Sequence, residues 1–327
     1  MRVSGEARQT GRNSPRQLPI STWIAHHFAA NRPAPGTRQS SLAATVPRSA
    51  WPRAIERVAS ATLMSYAMHP AEPTHASMTV SFLWPAGRPS ALPPPGEVHV
   101  WAVPLDGGGR PPVSEFAATL SADERARAAR FRVNGLSERF IAARGQLRVL
   151  LAFYLGREPS ELRFNYDANR KPSLATDDAQ QRLSFNLSHA GDVALIAVTE
   201  SDPVGVDVER VRAFGDMRSV AKQFFSPAER AELDRARPDE FESAFYRCWT
   251  RKEAFLKANG IGLLRPLDSF DVSILTDSAP GLLRVADSPE APGRWSIVHL
   301  DPAPGYVGAL AVECRELSVR TWYANIL

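Results

Sequence analysis

Three carboxylates and an ammonium carry most of the chemistry this sequence offers. In Val204-Gly205-Val206-Asp207-Val208-Glu209, valine alternates with small or acidic residues, the period of two expected of a strand with one buried face. Asp207 and Glu209 then leave that strand on the same side. The stretch from Trp249 to Lys257 contains neither glycine nor proline and reads as helix, so Trp249, Glu253 and Lys257 share one stripe. A strand bearing two carboxylates opposite a helix bearing a third suits a hard divalent cation such as magnesium, which takes one or two protein carboxylates beside phosphate oxygens and waters. With Lys257 alongside, the natural cargo of such a cation is a pyrophosphate. A plainer account of the same residues is a solvated Glu253–Lys257 pair, worth about 0.2–0.5 kcal/mol, and two charges on a strand edge. Trp249 shapes a pocket or fills the core, and the core is the stronger reading.

Positioning these groups takes a folded domain, and the composition supplies one. The chain has 327 residues, 44% of them hydrophobic, enough for one large or two medium domains. The net charge of +4 is uneven. Residues 1–96 hold ten arginines against three glutamates, and the remainder holds 29 basic against 32 acidic residues. The basic excess therefore belongs to the leading segment and gives no reason to expect nucleic-acid binding. No apolar run approaches the ~18 residues of a membrane span, so no membrane association is expected. Cys248 and Cys314 form no disulfide framework, which points to a reducing, cytoplasmic setting. A monomer is the expected state.

Residues 1–95 are rich in Arg, Ala, Pro and Ser without sustained periodicity and read as a disordered extension. An organellar transit segment and a misassigned start, with Met64, Met68 or Met78 following, are the other accounts. After Pro93-Pro94-Pro95-Gly96, Glu97–Leu105 alternates as a first strand. Ser121 and Glu124 form a capping box, and Ser137–Leu155 reads as a long helix carrying Arg139, Arg144 and Arg148. Asn169-Arg170-Lys171-Pro172 is a turn. Ser184–His189 leads through Ala190-Gly191-Asp192 into an apolar strand, Val193–Thr199, and at this strand-turn edge Ser188 and His189 offer a hydroxyl and an imidazole to a phosphate. Ser226, Pro227 and Glu229 make a second capping box. That is a structural reason for Glu229, and contact with the site is the competing one. Strand-like segments follow at Leu267–Ile274, Trp295–Leu300 and Gly308–Cys314.

The chain also echoes itself. A shift of 105 residues superposes Ser121, Glu124, Arg125, Ala126, Arg130, Phe140 and Leu151 on Ser226, Glu229, Arg230, Ala231, Arg235, Phe245 and Leu256, each pair identical. The expected fold is accordingly α+β: two similar α+β halves, residues 96–202 and 203–327, related by a pseudo-twofold, with the active site in the crevice between them. Arg148 occupies the position that matches Glu253, so only the second half carries the third acid.

Val204 to Glu209, Phe225 to Glu229 and Trp249 to Lys257, in that order, resemble the three motifs of the 4′-phosphopantetheinyl transferases. The likeness is closest to their larger, surfactin-synthetase-type branch and spans Val98 to about Val272. The resemblance implies transfer of the 4′-phosphopantetheine arm of coenzyme A to a serine of an acyl or peptidyl carrier protein, with adenosine 3′,5′-bisphosphate released. It implies magnesium on Asp207, Glu209 and Glu253, and coenzyme A on Arg139, Lys171, Ser188, His189 and Lys257, with Arg127 near the same anionic groups. Glu253 is then metal ligand, proton acceptor or both, while Lys252 lies one position off the stripe. Two other readings stay open: a magnesium-dependent nucleotide pyrophosphohydrolase, and a binding module whose site has decayed.

Overall fold

Runs of β-branched and small apolar residues become two stacked sheets, and the two long glycine-poor stretches become the helices that cover them. The structure is a computed structural model that describes residues 84–89, 91–105, 112–132, 135–167, 169–175, 183–214, 216–260 and 265–324. The expected extension at 1–95 lies almost wholly outside the described residues.

The first sheet contains β1 (Glu97–Pro104), β4 (Ser184–Ala190), β5 (Val193–Thr199) and β11 (Ser318–Tyr323), in the order β11-β1-β5-β4. The second contains β6 (Val204–Arg210), β9 (Ser296–Leu300) and β10 (Tyr306–Val312), in the order β6-β10-β9, antiparallel throughout. Small two-stranded ribbons join β2 (Phe164–Tyr166) to β3 (Pro172–Leu174) and β7 (Phe270–Val272) to β8 (Leu282–Val285). Helices α1 (Val113–Thr119), α2 (Ala122–Ala128) and α3 (Leu136–Leu155) precede β2. Helices α4 (Met217–Phe224), α5 (Pro227–Leu233) and α6 (Phe241–Asn259) follow β6.

Alternation along the strands decides the layering. Trp101, Val103, Ile196 and Val198 face Leu147, Leu150 and Leu151 of α3. Their neighbours Val98, Val100, Leu195 and Ala197 face Val204, Val206, Val208 and Leu310 of the second sheet. Each such fully buried aliphatic side chain stabilises the fold by roughly 1.5–3 kcal/mol. The outer face of the second sheet is covered by α6, so the order is helix, sheet, sheet, helix. Close approach of α6 depends on Gly205, where a Cβ would lie 2.1 Å from the Ala254 carbonyl oxygen and 2.4 Å from the Ala258 nitrogen.

The fold is α+β, and the two halves repeat one device. Glu124 accepts from the Ser121 amide at the start of α2 and is buried against Arg144 and Arg148 of α3. Glu229 accepts from the Ser226 amide at the start of α5 and is buried against Lys252 of α6, 2.7 Å away. These are the glutamates that the 105-residue shift superposes. The last strand departs from that symmetry: β11 crosses back to pair in parallel with β1. Leu267–Ser269, read as the start of a strand, forms a 3-10 turn that leads into β7.

Candidate functional site

With Val204, Val206 and Val208 turned into the layer between the sheets, the odd positions Gly205, Asp207 and Glu209 are left to α6. That helix presents Glu253 and Lys257 one turn apart. Beside β6 runs β4, stitched to it where the Asn186 side-chain oxygen accepts from the Val206 amide at 2.9 Å. Ser188 follows two residues along β4 and therefore points the same way. Three elements thus deliver one node. Lys257 Nζ donates to Asp207 Oδ1 at 2.6 Å, to Ser188 Oγ at 2.9 Å and to the Val206 carbonyl at 3.3 Å. Ser188 Oγ donates to the same Asp207 oxygen at 2.8 Å.

The node is short of positive charge. Burial, then the charge of Asp207, raises the Glu209 carboxyl to about 8, with Glu253 adding to the shift. Burial and Asp207 likewise raise Glu253 to about 7. Burial works against the Lys257 ammonium, yet Asp207, Glu253 and Glu209 outweigh it and raise its pKa. Asp207 Oδ2 and Glu253 Oε1 are buried with no hydrogen-bond partner, a costly arrangement unless a cation or donor meets them. Asp207, Glu209 and Glu253 therefore fit magnesium in donor type and in unmet charge. Among the described residues no three acid, histidine or cysteine side chains are gathered closely enough to hold a metal ion together.

Around the node, His189 is an exposed residue. Desolvation in the crowded cleft, then the like charges of Lys257, Arg127 and Arg139, lower it to about 4 and keep the imidazole neutral. Arg139, on the first turn of α3, donates through Nη2 to Asp192 at 2.8 Å, in the turn between β4 and β5. Arg127 lies over the Phe140 ring, 5.2 Å from its centroid. Of the sequence-predicted residues, Ser188, Asp207, Glu209, Glu253 and Lys257 lie where β4, β6 and α6 meet, whereas Arg139 stands on α3, paired with the β4–β5 turn, and His189 feels the charges of both Lys257 and Arg139.

Others fall elsewhere. Lys171 turns its ammonium to the Lys257, Ala258 and Val204 carbonyls, at 2.5, 3.3 and 3.3 Å. Trp249 is core, 2% exposed, packed on Phe224 and Phe245. Glu229 and Lys252 are each 1% exposed. Glu229 caps α5 and accepts from the Val272 amide, while Lys252 donates to the Leu267 and Phe270 carbonyls at 2.7 Å. Both are structural. Gly205 and Asn186 matter to the site without having been singled out. A glycine alternating with valines beside two acids was the available signal for the first, and nothing local marked the second.

Comparison with known proteins identifies the family. The 4′-phosphopantetheinyl transferase superfamily model matches residues 203–311, and the model of the 4′-phosphopantetheinyl transferase N-terminal region matches residues 110–201. The 4′-phosphopantetheinyl transferase HetI of Nostoc sp. is 41% identical over 228 residues, which is 69% of this chain and 92% of that protein. The 4′-phosphopantetheinyl transferase Sfp of Bacillus subtilis is 29% identical over 192 residues, 58% of this chain and 81% of its own. A solved apo-ACPS structure from Chronobacterium ammoiniagenes aligns with a TM-score of 0.29 and 22% identity, over 34% of this chain and 95% of that one, too low a score to bear on the argument. Two family models side by side, and a relative covered almost from end to end, place this chain in the 4′-phosphopantetheinyl transferase superfamily.

Proposed function

We propose that this enzyme transfers the 4′-phosphopantetheine arm of coenzyme A to a serine hydroxyl of an acyl or peptidyl carrier protein, releasing adenosine 3′,5′-bisphosphate. The observation that carries the reading in detail is the node of Asp207, Ser188 and Lys257, flanked by the raised carboxyls of Glu209 and Glu253. Asp207, Glu209 and Glu253 would hold magnesium, which when bound supplies neutralisation of charge on the diphosphate. Lys257, fixed by Asp207, adds a second positive charge at the leaving side, where phosphoryl transfer gains most from positioned cations.

Arg139 and the Ser188–His189 pair serve the anionic groups of the nucleotide end. A neutral His189 offers one N–H as donor and no net charge. Glu253, whose carboxyl titrates near neutrality, is suited to take the proton of the attacking serine. Among the described residues no helix is long and apolar enough to cross a membrane. A cytoplasmic monomer, with no nucleic-acid or membrane partner, belongs to this proposal, as do the two halves at 96–202 and 203–327, β11 excepted.

The test mixes the purified protein, magnesium, coenzyme A and an apo carrier protein, and follows the carrier by mass spectrometry. A mass gain of one phosphopantetheine on serine is expected, and Asp207→Ala should abolish it while circular dichroism stays native-like. Full transfer by that variant refutes the node's role. Breakdown of coenzyme A without any carrier would instead mark a pyrophosphohydrolase.

A further inference from the structure

The end of α6 needs partners that the helix itself cannot supply, because its last carbonyls have no intrahelical donor. They find them in the turn between β2 and β3. Asn169 Nδ2 donates to the Gly260 carbonyl at 2.8 Å. Lys171 Nζ donates to the Lys257 carbonyl at 2.5 Å and to those of Ala258 and Val204 at 3.3 Å. An ammonium has three hydrogens, and three carbonyls face this one. Its charge also opposes the negative end of the helix dipole.

The turn is shaped to make this reach. Asp167 Oδ1 accepts from the Lys171 amide at 2.8 Å, and Arg170 sits at φ 63, a left-handed conformation that a residue with a side chain adopts only under constraint. The acceptors are informative as well. Val204 opens β6 and Lys257 lies on α6, so one ammonium ties the strand of Asp207 to the helix of Lys257 and Glu253.

We propose that Lys171 is a positioning residue: with Asn169 it locks the last turn of α6 to the start of β6, and so sets the spacing at which Lys257 and Glu253 meet Asp207. The consequence for catalysis rests on the transferase reading above; the lock itself does not. The competing role is direct contact with the nucleotide of coenzyme A, which the family resemblance implies.

Two substrates and one structural probe separate them. In Lys171→Met, kcat for transfer to an apo carrier protein should fall about tenfold or more, equally with coenzyme A and with 3′-dephospho-coenzyme A, while KM for either changes by less than about twofold. Amide hydrogen exchange at residues 256–260 should quicken in the same variant. Asn169→Ala should show both effects at smaller amplitude, and it decides the matter if Lys171→Met does not fold. A raised KM for coenzyme A alone, with exchange at the end of α6 unchanged, overturns the proposal. Should the unaltered protein transfer nothing to any carrier, the activity reading falls, and the exchange measurement still decides for or against the lock.

Discussion

Gly205→Ala tests whether the seat of α6 on β6 governs the chemistry. The added Cβ would lie 2.1 Å from the Ala254 carbonyl oxygen, against an ordinary contact of 3.4 Å or more, so helix and strand must part by about 1.3 Å. The obstacle is backbone on both sides and no rotamer change relieves it. Overpacking of this kind costs about 1–3 kcal/mol, which lowers Tm by about 2–4 °C per kcal/mol in a domain of this size. The same shift carries Glu253 and Lys257 off Asp207, breaking a bond of 2.6 Å, and a misplacement of about 1 Å can reduce turnover by about 10²-fold. Single-turnover transfer to an apo carrier protein, read by mass, and differential scanning fluorimetry measure the two effects together. Gly145→Ala is the control: its Cβ would strike Phe116 at 2.5 Å in the other half, so it should disturb Tm without reducing turnover. A Gly205→Ala protein with native Tm and full transfer would show that α6 does not bear on β6 as described.

Removing either member of the Glu229–Lys252 pair should unfold the second half. Both groups are buried, and stranding one of them costs about 3–5 kcal/mol, so Glu229→Ala or Lys252→Met should shift the urea midpoint sharply. Wild-type midpoints would refute the structural assignment. The metal-free protein should also lose stability as pH rises from 6.5 to 8. Glu209 and Glu253 are raised by burial and by Asp207 to about 8 and about 7 from an ordinary 4.5. The folded chain therefore keeps protons that the unfolded chain has released, and that stabilisation disappears as pH climbs through the folded values. His99, lowered from 6.5 by burial, and His189 act in the opposite sense and below that value, so the upper range isolates the acids. Measured in EDTA, the slope of Tm against pH should flatten in the Glu209→Gln/Glu253→Gln variant, and magnesium should restore more stability at pH 8 than at 6.5. An unchanged slope would remove the assignment.

Much of the site could be read from local pattern because its elements are strongly periodic. Alternating valines fixed which side of β6 carries Asp207 and Glu209, and the helical stripe placed Glu253 and Lys257 opposite them. The capping boxes were legible for the same reason, a short-range geometry written in residue type. What escaped depends on distant partners. Lys171 reads as a turn lysine, and by resemblance as a coenzyme A contact, until its acceptors, 33 to 87 residues away, are known. Strands β2 and β3 are three residues long, too short for a period to register. In β11, Ser-Val-Arg-Thr-Trp-Tyr, the pattern is broken, because its outer positions are exposed and its partner is the first strand of the domain.

That last pairing leaves the enzyme dependent on residues far from its cleft. From Ser318 to Tyr323 the chain shields the flank of β1, and Trp322 stacks on Trp101 at 5.1 Å. A nonsense codon shortly before residue 318 would leave every group of the cleft encoded, yet bare a long apolar strand margin of the kind that recruits other chains. Such a truncated protein would be lost to aggregation rather than to failed chemistry.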